Sequence, residues 1–311
     1  MENKIYELVS KIRDRINNPI KQTKLIEDKE KWNRLCSSLD VTEDTQSAIE
    51  YYQETEFPNE NGGKYLYIYG LLQAFFIQQD AVSNMHKALY DEEINYKNDY
   101  KKLFNLRELR NDIIGHPTDR NQGKSFHFIS QITLTKDSFQ IMSAYRNDID
   151  RFRTVNVIEI IDHQKKGIIN ILDMIIDKLD NDIKEFKEKY SMEKLQKHFK
   201  KNIGYDFEKI YEITHEADKK SPMAGIGLKM ITELVNGVKK ELIYRYGSLR
   251  SLPGIEDCYK EIDYLINYIT KSYDGKIQFE SMLIRFLIEC LEKRVRELED
   301  MCKEIDTEMS Q

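Results

Sequence analysis

The stretch LRELRNDIIGHPTDR, residues 106–120, sets Arg107, Arg110 and His116 around a short apolar step, Ile113-Ile114, then stops at Gly115-His116-Pro117. Histidine trades protons near neutral pH, and arginine stays charged and offers phosphate oxygens a planar fork of donors. Together they supply what metal-independent RNA cleavage needs: a base for the 2′-hydroxyl proton and a fixed cation for the phosphate. The plain alternative is a charged helix terminus, because basic residues in a last turn complement the helix dipole. On an ideal helix the six residues from Arg110 to His116 turn through about 240°. The pair then shares a face only if the helix loosens, which Gly115 allows. Asp112 and His116, four apart, would share a face and let the carboxylate orient the imidazole.

RNDIIGH resembles the Arg-x(4–6)-His signature of the HEPN superfamily (higher eukaryotes and prokaryotes nucleotide-binding domains), in which a polar residue, often Asn, follows the Arg as Asn111 does here. The resemblance covers residues 60 to 185 or so. It implies an antiparallel helical bundle with the motif near the end of one core helix, and LLQAFFIQQDAVSNMHKAL at 71–89 fits the partner helix. It also implies a metal-independent endoribonuclease without a cofactor, a toxin or antiviral defence effector, working as a homodimer whose two motifs face one cleft. On that resemblance Arg110 and His116 are catalytic and Asn111 supports them. Asp112 joins as a second supporting residue on the spacing argument above. The strands after the motif and the C-terminal residues fall outside the family pattern.

Around the motif, Lys101, Lys102, Arg107, Arg120 and Lys124 add positive charge. They read either as an RNA-backbone patch, with Arg107, Arg120 and Lys124 as the contacts, or as a solvated face in which Glu108 and Asp119 are interleaved. Gln73, Gln78, Gln79 and Asp80 either line a dimer cleft or mark where a helix leaves the core. AGIGLKM at 224–230 contains a GxG, but no strand precedes it, so it is no phosphate loop.

The elements that must position these residues are mostly helical. Five Pro and 13 Gly in 311 residues leave few breaks, and 40% hydrophobic with 33% charged residues describes a packed chain. A net charge of −6 argues against a general nucleic-acid coat, so any RNA contact is local. The most apolar run, YLYIYGLLQAFFI at 65–77, is shorter than the ~20 residues of a membrane span and reads as a core helix. The N-terminus is a charged amphipathic pattern with no signal-peptide core. Four scattered cysteines without a CxxC pair suit reduced thiols in a cytoplasm, and no histidine spacing suggests a metal.

Along the chain the pattern predicts helices at 2–16 and 28–37, and a third from Val41 to Tyr52 capped by Asp40. FPNENGG at 57–63 is a loop, and a long bundle helix runs from Lys64 to Tyr90. A further helix covers 94–114. The alternation in FHFISQITLTKDSFQIMSAY predicts one β-hairpin at 126–143, with Phe126, Phe128, Ile132 and Leu134 facing the bundle and His127 exposed. Base stacking by Phe126, His127 and Phe128 is the other reading of that hairpin. Asn156 and Glu159, at capping-box spacing, open a helix to Tyr190. Ser191 caps a short helix to Lys201, and Ser221-Pro222 opens one to Tyr246. Leu252-Pro253-Gly254 is a break. The last helix, 277–309, carries the stripe Leu283, Leu287, Leu291, Val295, Leu298, Cys302, Ile305, packed within its own domain or against a partner. The expected organisation is a HEPN-like bundle at 1–190 and an all-helical domain at 191–311. A non-catalytic helical interaction or sensor protein, with an antitoxin or sensor partner and no membrane role, is the competing reading.

Overall fold

The structure is a computed structural model that describes residues 4–199, 202–214 and 221–310. It is mostly helical, with one small three-stranded antiparallel sheet in the order β1-β2-β3. Contacts divide the chain into two units, Met1–Ile16 with Leu25–Asp180, and Asn17–Lys24 with Asn181–Gln311. The division falls inside a helix, ahead of the expected boundary at 190.

The first unit holds α1 (Lys4–Ile16), the end of α2 (Pro19–Glu27), α3 (Lys29–Glu54), α4 (Asn61–Tyr90), α5 (Tyr96–Asp99) and α6 (Lys101–Arg110). A π-helical turn, Asn111–Gly115, follows α6. Then come β1 (Ser125–Ile129), β2 (Ser138–Tyr145), β3 (Arg151–Asn156) and most of α7 (Val157–Ser191). Its core is one cluster that includes Leu35, Leu39, Leu72, Phe75, Val82, Leu103, Leu109, Ile171 and Leu172. Gly167 on α7 allows a close approach, since a Cβ there would stand 2.6 Å from Leu103.

Several local readings change. The helix expected to start at Asp40 does not start there: α3 is continuous, capped by Asp28, whose carboxylate accepts from the Glu30 and Lys31 amides at 3.1 Å. No breaker lies between 29 and 54, and Asp40 instead pairs with Arg13 at 2.9 Å. The 94–114 helix is interrupted at Tyr100 and ends in the π turn. The hairpin gains a third strand, and Ile132, expected to face the core, is 98% exposed in a 3-10 turn. Asn156 caps α7 as expected, accepting from the Glu159 amide at 3.0 Å.

The second unit packs α8 (Ile203–Tyr211), α9 (Pro222–Tyr246), α10 (Pro253–Tyr273) and α11 (Ser281–Glu308) around Phe207, Ile231, Tyr259, Ile262, Leu291 and Val295. Ser221 caps α9, with Pro222 in its first turn. Ser191 caps nothing: it ends α7, its hydroxyl donates to the Glu188 carbonyl, and a 3-10 turn at Leu195–Phe199 follows. The expected start at Glu2 and end at Lys201 lie outside the described residues. The α11 stripe is buried from Leu291 onward, but Ile284 and Ile288 take the inward phase ahead of it and Leu283 is exposed. All four cysteines are free thiols. Among the described residues, no helix is long and apolar enough to cross a membrane.

Two of the polar residues noted on α4 are neither cleft nor margin. Gln78 and Gln79 are fully buried and meet Gln164 of α7: Gln79 Nε2 donates to its Oε1 at 2.8 Å, and its Nε2 donates to Gln78 Oε1 at 2.9 Å. Removing one amide strands its neighbours in the core. Gln164→Ala therefore lowers unfolding stability by about 2–3 kcal/mol in urea titration; a loss below about 0.5 kcal/mol would show that the amides are independent.

Candidate active site

Helix α6 delivers the motif. Leu103, Leu106 and Leu109 bury its inner stripe, and Ile113 continues it one turn on. Around Ile113 the backbone widens into a π turn: the His116 amide donates to the Asn111 carbonyl at 2.8 Å, a five-residue closure. Such π turns lie mostly inside helices and often at functional positions. Here it folds Gly115 back over the start of the motif. A Cβ on Gly115 would stand 3.0 Å from Arg110 Nη1 and 3.3 Å from Asn111 Oδ1. The structure thus brings together Arg110, Asn111 and the backbone that leads into His116.

Arg110 is held from three sides. Its Nε and Nη2 donate to Gln73 Oε1 at 3.0 and 2.9 Å, and its Nη1 donates to Asn111 Oδ1 at 3.2 Å. Its guanidinium lies 4.5 Å from the Phe76 ring centre, and that of Arg107 lies 4.2 Å from the same centre. Stacking on an aromatic ring fixes the plane of an arginine while leaving its charge intact. His116 is exposed beyond the π turn, and among the described residues its ring has no hydrogen-bond or ion-pair partner.

Asp112 does not meet His116. Its carboxylate accepts from Arg120 Nε at 3.1 Å, lies 3.6 Å from His127 Nε2 on β1 and 4.0 Å from Arg153 Nη2 on β3. Arg120 also donates to Glu108 at 2.7 Å. The extra residue in the π turn rotates Asp112 away from the face that a regular helix would have shared with His116.

His127 is buried, where the alternation predicted exposure. It exchanges hydrogen bonds with Ser143 Oγ at 2.9 Å and Ser125 Oγ at 3.2 Å, its neighbours on the inner face of the sheet. Phe128 points outward and is 52% exposed. Burial holds the imidazole below its ordinary value, the Asp112 charge pulls it back up, and Arg120 and Arg153 add to the lowering. Arg153 is not among the residues singled out in the sequence, and His127 reads there only as an exposed or base-stacking residue of the hairpin. For Arg153 the available signal is its place in RFRTVN at 151–156, which forms a third strand.

Of the three basic residues expected to touch RNA, Arg107 pairs with Asp80 at 2.8 Å and Arg120 is committed to two carboxylates. Lys124 is exposed and has no ion pair among the described residues. No three His, Cys, Asp or Glu side chains among the described residues are grouped to hold a metal ion. Comparison of the chain with known protein families, curated proteins and solved structures gives no match.

A buried imidazole whose folded pKa is depressed binds fewer protons than in the unfolded chain. Its contribution is complete above about 6.5 and is lost as pH falls toward its folded value. Unfolding stability therefore declines on acidification from pH 7 to 5, and His127→Gln flattens part of that decline in denaturant titrations at each pH. An unchanged slope would locate the acid sensitivity elsewhere, for example at His198, which burial also lowers.

Proposed function

We propose that the first unit is a HEPN-like domain and that the protein is a metal-independent endoribonuclease, a toxin or antiviral defence effector acting in the cytoplasm as a homodimer. The observation that carries this reading is the held Arg110: a guanidinium gripped by Gln73 and Asn111, stacked on Phe76, beside a π turn that ends at an exposed histidine. In the proposed reaction His116 takes the 2′-hydroxyl proton and the 2′ oxygen attacks the adjacent phosphorus. Arg110 balances the charge gathering on the phosphorane oxygens. The bond to the 5′ oxygen breaks, that oxygen takes a proton from water, protonated His116 returns its proton to the hydroxide so formed, and the products are a 2′,3′-cyclic phosphate and a 5′-hydroxyl. Asn111 keeps Arg110 in place, and Asp112 holds the turn by its partners on the sheet.

Support for a second copy comes from α4. Leu66, Tyr69, Gln73 and Ile77 follow one face at three-to-four spacing, and Leu66 is 70% exposed. Gly70 lies in the same stripe with open space above its Cα. Because Gln73 grips Arg110, a helix pairing along this stripe would seat two motifs close together. The same stripe favours the competing reading, a non-catalytic protein that uses α4 to recruit an antitoxin or sensor.

Cleavage of mixed cellular RNA in excess EDTA separates the two. Wild type yields fragments with cyclic-phosphate ends, while Arg110→Ala and His116→Ala each fall by about 10²–10⁴-fold; equal fragmentation by all three would sink the catalytic assignment. Gly115→Ala presses a methyl group on the far end of Arg110. It is expected to cost activity at least tenfold while leaving the urea midpoint nearly unchanged. For the dimer, Leu66→Asp with Tyr69→Asp converts a two-chain mass to a one-chain mass in light scattering.

A further inference from the structure

The outer face of the sheet carries an apolar row that no described residue of its unit covers. The register sets Phe128 opposite Met142 and Met142 opposite Phe152. Phe128 is 52% and Phe152 70% exposed. With strands about 4.8 Å apart, the row reaches roughly 10 Å from the first ring to the last. Its neighbours in the outward phase include Gln140, Ala144 and Thr154.

Charge gathers at the same place. Two of the basic residues of 120–156, Lys124 and Arg146, are exposed and have no ion pair among the described residues, whereas Arg120 and Arg153 turn to Asp112 and Lys136 donates to the Gln53 and Thr55 carbonyls. Lys124 and Arg146 follow the outward phase at one end of the sheet, joined by the Arg146 amide donating to the Lys124 carbonyl at 3.2 Å. Of the acidic residues, Asp148 is already paired with Arg151.

Open aromatic rings beside exposed cations suit an unpaired polynucleotide. Every base has a π face to stack, and its phosphates meet the lysine and arginine. A duplex hides those base faces inside its own stack. An apolar protein surface would match the row but not the two unpaired cations, Lys124 and Arg146, at its end. The opposite face of this sheet reaches the motif through His127 and Asp112, so a strand laid on it stays within the unit that carries Arg110 and His116.

We propose that this face binds single-stranded RNA, with bases stacked on Phe128 and Phe152 and phosphates at Lys124 and Arg146, and thereby confines cleavage to unpaired segments. The inference rests on the ribonuclease reading of the same unit. Binding without turnover tests it independently. The probe is a fluorescein-labelled 12-nucleotide RNA of mixed sequence, single-stranded or annealed to its complement, titrated by anisotropy with the full chain carrying His116→Ala. The single strand is expected to bind at least tenfold tighter than the duplex. Phe128→Ala with Phe152→Ala in that background should weaken the single strand tenfold or more, while Phe128→Tyr with Phe152→Tyr restores it. Restoration by the tyrosine pair also shows that the sheet still folds. Equal affinity of the alanine pair and its parent overturns the proposal, as does a loss seen only in binding to anionic vesicles or in dimer mass. If wild type leaves RNA uncut in EDTA and the phenylalanine dependence persists, the platform stands and the nuclease assignment falls. If wild type cuts RNA and the alanine pair binds it unchanged, the platform alone falls.

Discussion

The carboxylate of Asp112 is the point through which the helix end, the loop behind it and the sheet are tied. Arg120 reaches it from the loop, His127 from β1 and Arg153 from β3. Arg120 also reaches back to Glu108, one turn earlier on α6. A half-buried carboxylate depends on its hydrogen-bonding partners, and losing one leaves a costly polar group behind. The π turn is therefore held by tertiary partners as well as by its own backbone closure, and the place of His116 follows from it. The sheet, which lies outside the minimal helical bundle, becomes part of what shapes the motif.

Local rules were readable where local chemistry decides. Asn156 before α7 and Ser221-Pro222 before α9 cap their helices as their residue types require. Asp40 shows the limit of that rule. It has the chemistry of a cap and acidic residues after it, yet α3 runs straight through, since nothing breaks the helix and Arg13 supplies another use for the carboxylate.

The sheet shows a second limit. Hydrophobicity alone would turn Phe126 and Phe128 inward. The inward phase belongs instead to Ser125 and His127, because Asp112 and Ser143 wait there with hydrogen-bonding groups. A strand offers only two phases, so one polar contact that must be satisfied reverses every side chain on it. The candidate pair was legible as residue types in a short motif. The grip of Gln73 on Arg110 was not, because it joins residues on two helices.

A three-stranded sheet ends in two open edges, and β3 is one of them. Its first residues, Arg151-Phe152-Arg153, put a charge on each side of an exposed ring. A passing strand that tried to extend the ladder there would have to strip water from two guanidiniums. Flanking charges of this kind discourage edge-to-edge growth. The same arginines that bracket Phe152 thus act as gatekeepers, letting the sheet expose a greasy row without inviting the chain to polymerise through it.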